Sequence, residues 1–358
     1  MSGVIALDLG SSAIAAVEVT TTRERVSLTA ANVEPIPSGL IHDGEIQETD
    51  ELAECVRRVW KSGDFSGRKV RLGIANQRVM TRVIDLPLVS DQRERTAAVA
   101  YEAQEHIPIP LDQAVMDFQS IGEFASDAGQ RERMVVVAAP REMIDQLVRV
   151  VRSARLQPVG IDLEAFAILR SVMPPPSVLD EGSPDTDAQV VVHVGAEVTH
   201  VIVSVDRNCH FTRQVNFGGA GMTQAIAQRL ECSTDQAEAL KITCGLLGEP
   251  HGAWDADTIA EVQHALALAT RPLVREIVRS VDYYRSQPFA RHIDRVVISG
   301  GTALCLGLDR YLSQGLGMPV DVGDAGGQLD DRGGMSTAMA HRASVAIGLA
   351  LDGAGGPR

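Results

Sequence analysis

The segment of residues 4–19 constrains the fold more than any other part of the chain. It holds two apolar runs, at 4–7 and 14–19, on either side of the small polar stretch Asp-Leu-Gly-Ser-Ser at 8–12. Two apolar runs about a tight turn that contains glycine predict a β-hairpin. The first half of the chain therefore begins with two antiparallel strands in this prediction.

The turn of this hairpin has residues that suit a phosphate-type ligand. Gly10 lets the backbone approach a ligand closely, and successive N–H groups with the hydroxyls of Ser11 and Ser12 can form an anion-binding nest. Asp8, at the end of the first strand, can hold a metal ion through water beside that anion. On these residues alone, an ordinary hairpin with a polar turn is an equally good interpretation.

The same layout recurs in residues 190–205, near the start of the second half. Gly195 takes the place of Gly10, and Ala196 and Glu197 follow it in the turn. One such hairpin in each half predicts a duplicated domain with a ligand between the copies. The arrangement resembles the actin-like ATPase superfamily, in which each half offers one hairpin to the phosphates of ATP. The resemblance implies an α/β, actin-like (ribonuclease H-like) duplicated two-domain fold that binds ATP with Mg²⁺.

Size and charge narrow the classes of function. A chain of 358 residues has room for two domains, each with its own core. The formal charge of −14 argues against a nucleic-acid partner and against direct adhesion to an anionic membrane. Since no apolar run has the length of a transmembrane helix and no signal peptide is recognisable, we expect a cytoplasmic protein. The five scattered cysteines predict neither a disulfide framework nor a cysteine zinc site.

Residues 80–158 differ in character from the segments around them. Their pattern predicts a small sheet with two helices and a polar loop at 122–133, inserted into the first half. Six segments here and just beyond resemble, in order and spacing, the PilM family of type IV pilus assembly proteins. These segments are 83–87, 101–103, 106–110, 117–119, 135–139 and 160–167.

The resemblance to the PilM family implies an architecture related to that of the division protein FtsA, with an inserted α+β subdomain 1C. We accordingly divide the chain into the first part of subdomain 1A (1–79), subdomain 1C (80–158), the return to 1A with a linker (159–182), and a second domain (183–358) whose subdomain 2B spans roughly 223–290. The Pro-rich, acidic stretch 173–188 predicts an extended, exposed connection between the halves.

In the PilM family, the partner is the N-terminal peptide of the inner-membrane protein PilN, which lies in a groove between subdomains 1A and 1C. The resemblance therefore implies a PilN-like partner, contact with the membrane only through that partner, and a link to the pilus motor. Candidate groove residues are Val83, Leu86, Glu102, Ile107 and Ile109. The four apolar ones are equally good candidates for the core of the insert, and Glu102 for a cap or surface pair.

Three more segments match nucleotide-binding motifs of the actin-like family. Gly300, Gly301 and Thr302 match its adenosine motif at the end of a predicted strand. Glu238 and Lys241 match a helix that lines ribose and base, although a pair three residues apart can also be a weak surface contact.

The glycine pair Gly218 and Gly219 precedes this helix region and matches residues that border the phosphates. These assignments follow from the resemblance, because a Gly-Gly turn alone is weak evidence.

His193 departs from the family pattern. Actin-like ATPases usually carry aspartate there, and imidazole cannot supply that fixed negative charge. We therefore expect nucleotide binding with weak or absent hydrolysis. Alternatively, His193 is a strand residue whose ring is satisfied locally.

Taken together, these patterns predict a nucleotide-binding adaptor of a type IV pilus, or of a related type II secretion or competence machine. Three alternatives stay open: a nucleotide-free scaffold of the same machine, an FtsA-like division protein, and a small-molecule kinase.

Overall fold

The computed structural model describes residues 2–22, 25–127, 129–173 and 187–353. The predicted linker at 173–188 therefore lies almost wholly outside the described residues.

The order of strands and helices follows the chain. The strands are β1 (Ser2–Leu9), β2 (Ala13–Thr21), β3 (Val26–Pro35), β4 (Ile41–His42), β5 (Glu45–Ile46), β6 (Lys69–Ile74), β7 (Met80–Pro87), β8 (Ala114–Ser126), β9 (Gly129–Pro140), β10 (Gln157–Leu163), β11 (Ala188–Val194), β12 (Thr199–Val205), β13 (Asn208–Val215), β14 (Ile293–Ser299) and β15 (Val320–Val322). The helices are α1 (Thr49–Ser62), α2 (Gln92–His106), α3 (Arg141–Ser153), α4 (Glu164–Val172), α5 (Gly219–Leu230), α6 (Thr234–Cys244), α7 (Ala256–Arg285), α8 (Leu308–Leu316), α9 (Thr337–Arg342) and α10 (Ser344–Gly353), with 3-10 turns at Leu111–Gln113 and Gly301–Leu304.

The two halves hold five-stranded sheets of the same construction. The first has the order β3-β2-β1-β6-β10 and the second the order β13-β12-β11-β14-β15. In each sheet the first three strands are antiparallel and the last two run parallel to the strand that opens the half. Asp8 pairs with Ala15, and His193 pairs with His200 at the matching register. Both predicted hairpins and the duplication are confirmed.

The two sheets share a layer of helices. Helices α4 and α10 pack against Ala6 and Val17 of the first sheet and against Val191 and Ile202 of the second. Helices α1 and α3 cover the other face of the first sheet, and α5 to α8 cover the other face of the second. Because side chains alternate along a strand, Asp8 lies on the same face as Ala6, the face that meets the shared layer.

The shared layer depends on one close helix crossing. A Cβ atom at Gly348 of α10 would lie 1.8 Å from the carbonyl oxygen of Ala167 in α4. No side chain fits into that space, so the absence of a Cβ atom lets the two helices touch backbone to backbone.

The insert is a three-stranded antiparallel sheet in the order β7-β9-β8, with α2 on one face. The predicted loop at 122–133 is wrong, since β8 and β9 run through it and turn only between Ser126 and Gly129. The sequence missed this ribbon because its side chains are polar and largely exposed on both faces, which removes the period-two apolar signal.

The second helix predicted for the insert packs elsewhere. Helix α3 places Leu147, Val150 and Val151 in the core that α1 forms on the first sheet, with Leu52 and Val56. The amphipathic pattern of α3 indicates correctly that one face is buried. It does not indicate which neighbour covers that face.

Helix α7 continues unbroken from Ala256 to Arg285 although it contains Pro272. Proline removes the hydrogen bond to the carbonyl four residues earlier, that of Leu268. Leu268 is 46% exposed, so it lies on the solvent side of the helix, where water can replace the lost donor.

Candidate functional site

The turn between β1 and β2 leaves polar groups without protein partners. The Gly10 N–H donates to the carbonyl of Ala13 at 3.1 Å and closes the turn. Within the described part of the chain, neither the Ser11 nor the Ser12 hydroxyl has a hydrogen-bond partner. The turn is thus free to offer these groups to an anion.

The turn between β11 and β12 is closed in the same way, with the Gly195 N–H donating to the Val198 carbonyl at 3.0 Å. Unlike the first turn, it is covered by the beginning of α5. Gly219 N–H donates to the Gly195 carbonyl at 3.0 Å, and Ala220 N–H donates to the Ala196 carbonyl at 2.8 Å. A Cβ atom at Gly218 would lie 2.2 Å from the Ala196 oxygen. The predicted glycine pair therefore meets the predicted turn, and backbone fills the contact between them.

Lys241 connects the predicted pair of residues on α6 to the beginning of α5. Its Nζ donates to the Gly219 carbonyl at 3.1 Å and to Thr223 Oγ1 at 2.8 Å, and lies 2.7 Å from Glu238 Oε2. Thr223 also donates to Glu238. Lys241 and Glu238 therefore do pair with each other, with Lys241 buried and the side chain of Glu238 45% exposed.

The predicted adenosine segment closes the same cluster. Thr302 Oγ1 donates to the Gly195 carbonyl at 2.9 Å. Gly300 has φ +89°, and a Cβ there would lie 2.4 Å from the Val194 oxygen. Gly301 begins the 3-10 turn after β14. The structure thus brings the second-half candidates together, and their polar groups largely satisfy one another.

A carboxylate that the sequence did not single out stands beside Asp8. Burial, and next the negative charge of Glu164, raise the pKa of Asp8 well above its ordinary value. Strands β1, β6 and β10 are parallel, so Asp8 near the end of β1 and Glu164 just after β10 meet at one edge of the sheet. The strand order that brings the two carboxylates together cannot be read from the sequence, where Glu164 appeared only as part of a family motif.

Glu164 also contacts the second half. Its Oε2 lies 3.4 Å from Nε2 of His200, a buried residue of β12. Within the described residues, this nitrogen makes no hydrogen bond. The ring of His200 lies 6.2 Å from that of His193, measured between centroids. Carboxylates of the first half and imidazoles of the second therefore form one polar contact between the halves.

His193 is neutral in this setting. Its Nδ1 lies 3.1 Å from Ser299 Oγ and 3.5 Å from Ser344 Oγ. Burial, followed by the charges of His200 and His341, lowers the pKa of His193 to about 3. The ring is thus satisfied locally and carries no charge at neutral pH, in agreement with the alternative interpretation of this residue.

The candidate partner residues divide between two places. Leu86 and Ile107 lie in the core between α2 and the inserted sheet, and Ile109 packs against that core. Val83 lies on the opposite face of β7, and Glu102 faces His106 at 3.6 Å on α2. Only Val83 and Glu102 are therefore placed to meet a partner without disturbing the insert.

Two cavities adjoin these residues. One of about 80 Å³ lies beside the first turn, between Gly10, residues 73–75 and α3. The other, of about 320 Å³, lies where the first domain, the insert and the second half meet. Thr81, which is on the same face of β7 as Val83, lines it together with His200 and Gln214. No helix in the described part of the chain is both long and apolar enough to cross a membrane.

Comparisons with known proteins cover almost the whole chain. A family model described as type IV pilus assembly protein PilM matches residues 6–354. The solved PilM-PilN type IV pilus biogenesis complex contains a chain with a TM-score of 0.78 and 23% identity, over 98% of both chains. MreB5 of Spiroplasma citri bound to ADP gives a TM-score of 0.54 at 13% identity, over 98% of this chain and 96% of that one. The cell division protein FtsA of Streptococcus pneumoniae is 22% identical, over 88% of this chain and 74% of its own.

Proposed function

Because the chain belongs to the type IV pilus assembly protein PilM family and has the actin-like fold, we propose that it is a cytoplasmic adaptor of the pilus assembly platform. It binds the N-terminal peptide of a PilN-like inner-membrane protein and reaches the membrane only through that partner. The match of nearly the whole chain, insert included, to the PilM family model and to a chain of a PilM-PilN complex carries this proposal.

The junction of the first domain and the insert supports a peptide site. The cavity of about 320 Å³ is lined on one side by Ala75, Asn76, Gln77 and Val79, which connect β6 to β7, and by the first three residues of β7. Thr81 and Gln214 supply donors and acceptors there, and the Gln214 amide nitrogen is buried without a partner in the described residues. An extended peptide offers main-chain groups that satisfy such side chains.

We include ATP with Mg²⁺ in the proposal because the first-half residues fit it. The unpartnered hydroxyls of Ser11 and Ser12 suit a phosphate, and the Asp8–Glu164 pair gains from a hydrated cation that compensates its charge. Gly219, Lys241 and Thr302 would border the nucleotide from the second half. When bound, the nucleotide would supply negative charge between the halves and bias their closure.

Hydrolysis is expected to be weak or absent. The neutral ring of His193, held by Ser299 and Ser344, supplies neither a fixed negative charge nor a base with a pKa near 7. The residues of this chain therefore favour binding of the nucleotide without its hydrolysis.

The experiment that tests the adaptor function is calorimetry of the full chain with a synthetic N-terminal peptide of the PilN-like protein from the same organism. Val83→Arg is expected to weaken binding by about tenfold or more, which corresponds to about 1.4 kcal/mol. Tyr101→Arg is the matched control, because Tyr101 is 71% exposed on α2, across the sheet from Val83. Lack of binding by the wild-type chain would contradict the adaptor role.

A further inference from the structure

We propose that His42, Asp43 and Glu197 form a binding site for a borderline divalent metal ion such as Zn²⁺, which joins the two halves of the protein. His42 and Asp43 belong to the β4–β5 hairpin of the first half, and Glu197 belongs to the β11–β12 turn of the second. One donor atom from each residue lies within 4.8 Å of the other two. This site needs neither a nucleotide nor a peptide.

The first-half ligands are held by a tight turn. Asp43 and Gly44 both have positive φ, +51° and +77°, as a two-residue hairpin turn requires. A Cβ at Gly44 would lie 2.4 Å from the Ala75 carbonyl oxygen, so the turn sits directly on the end of β6. The buried side chain of Asn76 donates to the Asp43 carbonyl at 3.0 Å. The backbone that carries His42 and Asp43 is therefore fixed before any ion arrives.

Glu197 supplies the independent indication of a ligand. Its side chain is 29% exposed, but the Oε2 atom is buried, has no hydrogen-bond partner within the described residues and lies 3.6 Å from His42 Nδ1. A buried carboxylate oxygen without a donor is costly, and a cation removes that cost.

The spacing of the donors suits a small ion with imidazole and carboxylate ligands. Donor atoms at about 2.0–2.1 Å from a tetrahedral zinc ion lie about 3.3 Å apart. The observed separations are 3.6 Å from Glu197 Oε2 to His42 Nδ1 and 3.7 Å from Asp43 Oδ2 to His42 Nε2. These two separations run to different nitrogens of the His42 ring, and only one of them can bind the ion. The ion would therefore draw together three donor atoms that already lie within 4.8 Å of one another.

The chemistry of the donors selects the class of ion. An imidazole with two carboxylates suits Zn²⁺ and its first-row neighbours, whereas Mg²⁺ and Ca²⁺ prefer oxygen ligands alone. His42 is exposed, with 69% of its side chain accessible, so water can complete the coordination. Because Glu197 lies two residues after Gly195, the ion would hold the second turn against the first half.

The test is a competition titration of metal-free full-length protein with Zn²⁺ against a chromophoric chelator, without nucleotide. We expect one saturable site whose affinity falls at least about tenfold in His42→Ala and in Glu197→Gln, since even losing an outer-shell partner has that effect. Because His42 is 69% exposed and Glu197→Gln keeps the shape of the side chain, both variants are expected to fold, and their melting temperatures without metal verify this. His251→Ala is the matched control, since His251 is also exposed but lies in another part of the second half.

A second arm separates this site from another cluster. Glu102, Glu105 and His106 on α2 also bring three donors together. Zn²⁺ affinity that falls in His106→Ala while His42→Ala leaves it unchanged would overturn the proposal. Absence of saturable binding to the wild-type protein would overturn it as well.

Discussion

Glu164 of the first half lies 3.4 Å from His200 of the second, so a carboxylate and an imidazole meet where the two sheets approach each other. Asp8 adds a second carboxylate and His193 a second ring. The nucleotide proposed for this region would therefore enter a polar contact that already exists. Its charge would act on groups from both halves at once.

Asp8→Asn should stabilise the ligand-free protein at neutral pH while it abolishes ATP binding. The raised pKa means that folded protein holds a proton that the unfolded chain releases. Stability is therefore lost as pH rises from the ordinary aspartate pKa through the raised value, and Asp8→Asn removes that loss. Melting temperature against pH for wild type and variant measures the effect. Glu164→Gln should reproduce part of the stabilisation, and parallel curves for all three proteins would contradict it.

His193→Asn should reduce the sensitivity of the protein to acid. Its pKa of about 3 lies below the ordinary value of 6.5, so the folded protein resists protonation. The contribution of the neutral ring is fully present above pH 6.5 and is lost as pH falls towards 3. Urea unfolding at a series of pH values should give a shallower slope over that window for the variant than for wild type. An unchanged slope would assign the acid sensitivity to other groups.

His193→Asp tests the reason given for weak hydrolysis. With ATP and Mg²⁺, the variant should hydrolyse ATP at least about tenfold faster than the wild-type protein if the missing negative charge limits the reaction. His193→Asn is the control, because it removes the ring without adding charge. Fast turnover by the wild-type protein, left unchanged by the aspartate, would show that the residue does not limit hydrolysis.

Lys241→Met should lower the free energy of unfolding by about 1–3 kcal/mol, since Glu238, Thr223 and the Gly219 carbonyl lose a buried donor. Lys69→Met, at an exposed position at the start of β6, should change it by less than about 0.5 kcal/mol. Chemical denaturation of the ligand-free proteins makes the comparison. Equal values for the two variants would mean that the Lys241 network adds little to stability.

Gly348→Ala and Gly221→Ala should act in opposite directions, although both replace a helical glycine. The first drives a Cβ into the Ala167 carbonyl and should cost more than about 3 kcal/mol or prevent folding. The second meets nothing within 4 Å in α5, and should stabilise by up to about 1 kcal/mol. Thermal unfolding of the pair gives the result. Similar stability for both would show that α4 and α10 can separate without loss.

The sequence predicts most accurately those features that are local. The β1–β2 and β11–β12 hairpins follow from apolar runs about a glycine turn, and their recurrence predicts the duplicated sheets. The place of α3 depended on contacts with α1 that no local pattern records. Likewise, the buried setting of Lys241 arises from Gly219 and Thr223, which reach it only through tertiary packing.

Within the candidate site, the glycines and hydroxyls were easier to identify from the sequence than Glu164 and His200. Gly195 and Gly300 lie where another part of the backbone comes very close, and a turn that contains glycine can be recognised in the sequence. Glu164 of the first half and His200 of the second half contact each other. Neither residue signals that relationship without the strand order of both sheets.

The shared helix layer has a consequence for how the protein is made. Helix α10 covers the inner face of strands that lie at the other end of the chain, and it packs on α4 as well. During translation, the strands of the first sheet therefore leave the ribosome long before α10, which packs on their inner face. Until α10 emerges, the apolar inner face of the nascent first sheet is only partly covered, and exposed apolar surface of this kind favours aggregation during translation.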